Sequence, residues 1–214
     1  MSDVFLYYSQ NGSYVFSQFI RHFLISVYGV LFAAIVAIPL GFFIARRGRL
    51  SNVAVGIANV LQTIPSLAML AILMFAIGTG PNTVVVSVFL YSILPILKNT
   101  VSGIHSVTPA LIDAATGMGM TKMQVIRKVE FPLAISIIMG GIRNALVVAI
   151  GVTAVGTFIG AGGLGDIITR GITVANGGPI IIAGAIPTAL MAVISDLILG
   201  AIEKKLKPKT ATKV

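Results

Sequence analysis

Long apolar runs alternate with short polar connections along the chain, and the runs have the length a bilayer demands. Crossing the hydrocarbon core as a helix takes about 20 predominantly apolar residues. The first run covers residues 23–45 and stops at Arg46, Arg47 and Arg49. The second, 55–77, is interrupted by Asn59, Gln62, Thr63, Pro65 and Ser66. It ends in the turn-forming run Gly78-Thr79-Gly80-Pro81-Asn82. The third, 83–104, carries Pro95, Lys98 and Asn99 toward its polar end. The fourth, 131–159, is long, punctuated by glycine and contains Arg143, and the fifth, 180–202, contains Pro187 and Asp196. This pattern predicts an all-α integral membrane protein with five spans. Residues 1–18 form an N-terminal tail, 19–202 the transmembrane domain, and 203–214 a basic tail.

Composition agrees with the pattern. Of 214 residues, 57% are hydrophobic and 10% charged, and the mean hydropathy is +1.02. A soluble domain carries about 25% charged residues, so there is too little polar surface here to wrap a water-facing core. Residues 1–20 lack a basic start and contain Asp3, Gln10, Asn11 and Gln18, unlike a secretory signal. The chain has no cysteine, which excludes disulfides and thiolate metal sites.

The net charge of +9 would suggest nucleic acid on a soluble protein. Here the basic residues lie between and after the apolar runs with no aromatic interleaving, so they report topology instead. The connection after the first span, the segment 105–130 and the tail after 202 together hold eleven Lys and Arg; the alternate connections hold two. By the positive-inside rule this predicts the N-terminus outside and the C-terminus inside.

The longest inside connection, 105–130, breaks the apolar pattern. Thr108-Pro109 reads as a helix start, with the threonine hydroxyl as cap and proline at the first helical position. A helix over 109–116 would gather Leu111, Ala114 and Ala115 on one side. Gly117 and Gly119 permit a sharp break, Thr121 to Gln124 has capping-box spacing, and Pro132 marks the meeting with the fourth span. Small residues at Ala114, Ala115 and Gly119 leave room for another protein, and Met118, Met120 and Met123 suit a groove on it. The competing reading is an amphipathic helix lying on lipid.

Asp113-Ala114-Ala115, then Gly119, then Val129-Glu130-Phe131-Pro132 resembles the EAA loop of ATP-binding-cassette importer permeases. That loop has an acidic residue, two alanines, a glycine four positions on and an apolar-x-apolar-Pro ending. Asp113 stands for the usual glutamate, and Val129 and Phe131 for the usual isoleucine and leucine. Gln62–Ala68, Leu94–Thr100 and Gly160–Asp166 extend the resemblance over roughly residues 19–198, toward the permeases of glycine betaine/carnitine/choline (Opu-type) importers. The resemblance implies the five-transmembrane-helix core of a type I ABC importer permease in a bacterial cell membrane. It implies partners: a second related permease, two ATPase subunits and an extracellular substrate-binding lipoprotein. ATP and Mg2+ would be bound by the ATPase, with no cofactor or metal in this chain. Permeases for other solutes such as amino acids, or a small channel, are the alternatives.

Other motifs are less specific. Gly160-Ala161-Gly162-Gly163-Leu164-Gly165 satisfies a dinucleotide-binding pattern, but it follows a membrane helix rather than a strand. It reads as a tight exit from the fourth span, and by resemblance the loop with Gly160, Gly162, Gly163, Gly165 and Asp166 lies where the binding protein docks. Counted from the inner boundary, Lys98 and Asp196 are depth-matched and could pair, with Arg143 deeper. These three line a gate or form an interhelical pair. His22 and His105 read as interfacial, without metal-ligand spacing. Glycines and alanines in the fourth span serve close helix packing, within the chain or against a second permease.

Overall fold

The computed structural model describes residues 2–207. Met1 and residues 208–214, the end of the basic tail, lie outside the described residues. All regular elements described are helical: α1 (Ser2–Ile44), α2 (Gly48–Thr63), α3 (Ser66–Ile77), α4 (Pro81–His105), α5 (Pro109–Gly117), α6 (Lys122–Val125), α7 (Phe131–Val155), α8 (Leu164–Thr173) and α9 (Gly178–Leu206). A π-helical turn, Ile126–Glu130, joins α6 to α7, and a 3-10 turn, Gly156–Ile159, follows α7.

Four helical stretches are long and apolar enough to cross a membrane alone: α1, α4, the run 122–159 and α9. The bent pair α2 and α3 brings the number to five if it counts as one span. The second expected span is thus corrected. It starts at Gly48 rather than 55, and its two halves meet at 97°. The cause is Pro65, which has no N–H to continue the helix. The break is held by α4: the Tyr91 hydroxyl donates to the Ile64 carbonyl, and Gln62 Nε2 donates to the Tyr91 carbonyl at 3.4 Å.

The tail expected over 1–18 is also corrected. It is helical and continuous with the first span, apart from a kink at Asn11. At 1.5 Å per residue α1 is roughly 65 Å long, about twice the hydrocarbon thickness. Ser9, Gln10 and Ser13 are exposed, while Tyr8 donates to the Ala183 carbonyl at 2.9 Å, across to α9.

α4 sits at the centre, with Val84, Val88, Ile96 and Leu97 essentially inaccessible. α1 and α7 lie along it, and α9 packs on α7 and α8. Close approach rests on glycine. A Cβ at Gly29 would come within 2.3 Å of Val88, one at Gly41 within 2.5 Å of Thr100, and one at Gly141 within 2.7 Å of the Pro95 carbonyl. Helices that lack a hydrophobic drive to associate gain their contact energy by such close packing. Outward, Phe5, Phe16, Val60, Phe75 and Leu197 are exposed, as a bilayer-facing surface requires.

The ends of α1, α4 and α9 and the start of α7 gather at one end of the bundle, carrying the Arg46–Arg49 cluster and Lys204, Lys205 and Lys207. The opposite end holds the Gly78–Pro81 turn and residues 160–173.

Candidate functional site

The loop after α4 is built by helix-end chemistry. Thr108 and Pro109 start α5 as expected, although the Thr108 side chain makes no capping hydrogen bond. α5 then closes in a Schellman motif: the Met120 N–H donates to the Ala115 carbonyl at 3.2 Å, and the Gly119 N–H to the Thr116 carbonyl at 2.9 Å. This motif places a left-handed residue four positions after its third-last helical residue. Gly119 has φ +81°, and Ala115 is buried. The spacing from Ala115 to Gly119 is therefore backbone geometry. Gly117, expected to share the break, lies within the last helical turn.

Thr121 opens the next helix through a full capping box. Its hydroxyl accepts from the Gln124 N–H at 3.4 Å, and Gln124 Oε1 accepts from the Thr121 N–H at 2.8 Å. Helical backbone then continues through Pro132, because the π-helical turn Ile126–Glu130 leads straight into α7 and the missing proline N–H falls at that junction. Asp113, Ala114, Met118, Gly119, Phe131 and Pro132 are exposed and Met120 and Val129 half-buried, and the open surface of the loop also carries Lys122, Arg127 and Lys128.

The base of the loop is clamped. Glu130, in the Val129–Pro132 ending, is buried and accepts from Arg46 Nε at 3.0 Å, with a second contact from the same guanidinium. His105 Nε2 lies 2.6 Å from the Ala45 carbonyl, and the Phe42 and Phe131 rings are 6.0 Å apart. The loop is thus tied to the end of α1.

Arg143, Asp196 and Lys98 separate into two places. Arg143 grips Asp196 with both fork arms, at 3.0 and 2.9 Å, and reaches Glu203 at 2.7 Å. The expected pairing of Lys98 with Asp196 is corrected. α9 runs on to Leu206, which puts Asp196 about 15 Å from its end, within reach of Arg143. Gly200 makes the notch, since a Cβ there would sit 3.1 Å from the guanidinium carbon. Asp196, Gly200 and Glu203 recur at the four- and seven-residue spacing of one helix face, a signal present in the sequence that counting depth alone does not use. Lys98 lines a separate cleft between α2 and α4. Arg143→Met is expected to strand two carboxylates. Discounted for partial exposure, the level of folded chain in membranes, read by size-exclusion chromatography, falls about tenfold. Asp196→Asn, which keeps Glu203 paired, falls less; normal levels of both with altered transport would argue for a gate.

At the opposite end the glycine loop faces inward. Gly163 donates its N–H to Gln18 Oε1 at 2.6 Å, and Leu164 its N–H to His22 Nδ1 at 3.2 Å. His22 Nε2, 3.0 Å from the Ile150 carbonyl, is thereby left as the donor of the ring. His22 is fully buried, correcting its interfacial reading. Gly163 and Gly165 are buried too, and serve the packing of the chain itself. Gly160 is exposed and Gly162 half-buried, while Asp166 accepts from the Tyr14 hydroxyl and from Arg170 Nε at 2.8 Å. The connection 160–179 is not a plain loop, because it contains α8.

Comparison with known proteins places this geometry. Residues 37–208 match the family model of binding-protein-dependent transport system inner membrane components. The glycine betaine/carnitine/choline transport system permease protein OpuCD of Bacillus subtilis is 63% identical over 202 residues, covering 94% of this chain and 88% of that protein. The glycine betaine/carnitine/choline transport system permease protein OpuCB of the same organism is 40% identical over 209 residues, covering 98% of this chain and 96% of that protein. A solved structure of the inward-facing MetNI methionine ABC transporter superposes with a TM-score of 0.82 over 91% of this chain and 96% of that one. At 18% identity that likeness speaks for the fold. The chain belongs to the family of inner-membrane components of binding-protein-dependent transport systems, the permeases of ABC importers, and ATP hydrolysis is the work of a separate subunit.

Proposed function

We propose that this chain is one of two permease subunits in an importer of quaternary-ammonium osmoprotectants: glycine betaine, carnitine, choline or close relatives. The 63% identity to a permease named for those three solutes carries the reading. The second permease is a related chain, as the OpuCB and OpuCD pair of one organism suggests. Gly140 and Gly151 of α7 support such a neighbour, since a Cβ on either would meet nothing within 4 Å in this chain. Their small size leaves an outward face open to another helix.

The basic end faces the cytoplasm, in keeping with the positive-inside rule, and the N-terminus is outside. Two ATPase subunits, holding ATP and Mg2+, dock on the loops around Asp113–Met120 of the two permeases. ATP-driven closure of the ATPase pair pushes α5, and the Arg46–Glu130 clamp passes the displacement to α1 and α7. The path then opens toward an extracellular substrate-binding lipoprotein, met at the end that carries Gly160, Gly162 and Asp166, and hydrolysis returns it inward. Selectivity rests chiefly with the lipoprotein.

Reconstitution tests this directly. Vesicles holding this chain, its companion permease and the ATPase, supplied with the lipoprotein, should accumulate labelled glycine betaine, carnitine or choline only with ATP inside. Accumulation of methionine instead of all three would move the chain to an amino-acid importer. ATP-independent flux through the chain alone would make it a channel.

A further inference from the structure

Lys98 has no counter-ion among the described residues. It lies on α4 seven residues before His105, about 10 Å in from the basic end. It makes no hydrogen bond or ion pair among the described residues. All six carboxylates of the chain can be accounted for. Glu130 is taken by Arg46, Asp166 by Arg170, and Asp196 and Glu203 by Arg143. Asp113 is exposed on α5, and Asp3 is at the far end of α1. Lys98 is exposed to the cleft, where water can solvate it, and an anion that replaces this water would come from outside the described residues.

The surroundings of Lys98 say what that anion is. It opens into a cleft of about 310 Å3 between α2 and α4, lined also by Ser51, Asn52, Asn59, Ser102 and His105. Asn52 and Asn59 are exposed, seven residues apart on one face of α2, and their amides make no hydrogen bond among the described residues. Two free amides, two hydroxyls and an ammonium supply donors. No acid and no Phe, Tyr or Trp lines the cleft, so it holds no aromatic cage for a quaternary ammonium. A lysine acts as a point charge for an oxyanion, and the amides complete its hydrogen bonding.

We propose that the Lys98 cleft is a carboxylate station on the transport path, holding the anionic end of a small zwitterionic solute while its cationic end stays hydrated. This rests on the importer reading above. Glycine betaine and carnitine carry a carboxylate; choline carries the same cation with a hydroxyl and no carboxylate. The reconstituted complex is assayed with lipoprotein saturated by each solute in turn, so that capture outside cancels. In Lys98→Met the uptake rate of glycine betaine and of carnitine relative to choline is expected to fall about tenfold, the loss of one charge-assisted hydrogen bond. Lys98→Arg should restore most of it. Asn59→Ala, at an exposed position, should move the ratio the same way by about threefold.

An unchanged ratio in both Lys98→Met and Asn59→Ala, with wild-type uptake intact, overturns the station and leaves the importer standing. So does an equal loss for all three solutes. If that equal loss follows the phosphatidylglycerol content of the vesicles, Lys98 serves a lipid phosphate instead. Failure of the wild-type complex to carry any of the three removes the importer reading, and the station with it.

Discussion

Gly165→Val is expected to destroy the folded chain. A Cβ at this position would lie 2.0 Å from the carbonyl oxygen of Ala154 and 2.9 Å from its carbonyl carbon. Those atoms are backbone, so no side chain can swing aside; α8 would have to lift off the end of α7. Overpacking of a core commonly costs about 1–3 kcal/mol, and a clash with backbone belongs at or beyond the upper end. Lifting α8 would also pull Gly163 and Leu164 from their bonds to Gln18 and His22, so the effect spreads to α1. The measurement is the thermal midpoint of the detergent-solubilised chain and the fraction that survives size-exclusion chromatography. Gly160→Ala is the control. It has φ +77° but meets nothing within 4 Å, so strain without a clash should cost far less. Equal, small effects from both would mean that α8 is not packed as described.

Gly119→Val should do the reverse, leaving a folded chain that no longer couples to its ATPase. A Cβ here meets nothing within 4 Å, so space is not the constraint. The constraint is φ +81°, which a β-branched residue tolerates poorly, at about 1–3 kcal/mol. The chain would relax by abandoning the Schellman closure, which re-aims the end of α5 relative to Thr121. On the coupling reading, solute uptake falls by about tenfold or more while the level of folded chain stays normal. Gly119→Asn, which enters the left-handed region more readily, should keep a larger share of transport. Full uptake by Gly119→Val would mean that the angle between α5 and α6 is not part of coupling.

The loop 105–130 is more legible in the sequence than the rest of the site because its signals are local. Pro109 at a helix start, the capping box from Thr121 to Gln124 and the glycine four residues after Ala115 each report bonds within a few residues. Membrane character is legible for the same reason: span length and flanking charge need no knowledge of neighbours. Residues 2–18 mislead, since Asp3, Gln10, Asn11 and Gln18 look solvated in isolation. Gln10 is indeed exposed and Asn11 bonds the nearby Tyr7 carbonyl, but Gln18 pairs with Gly163, 145 residues away, and Tyr8 with Ala183, 175 away. The four-residue step from Gln18 to His22 is the one hint of a polar face turned inward.

Sequence alone thus determined the membrane class, the apolar runs that span it, the basic end and the family-like loop. Each depends on apolar length, charge and backbone preference read over short stretches. Tertiary structure alone decided which charges meet. Lys98 and Asp196 are matched by counting along straight helices. The register of α9 against α7, and the notch at Gly200, give Asp196 and Glu203 to Arg143 instead. Helix-to-helix register is set by side-chain shape at the contact, which periodicity does not encode. That same register leaves Lys98 without an acid, in a cleft that the break at Pro65 and the packing of α2 on α4 create together.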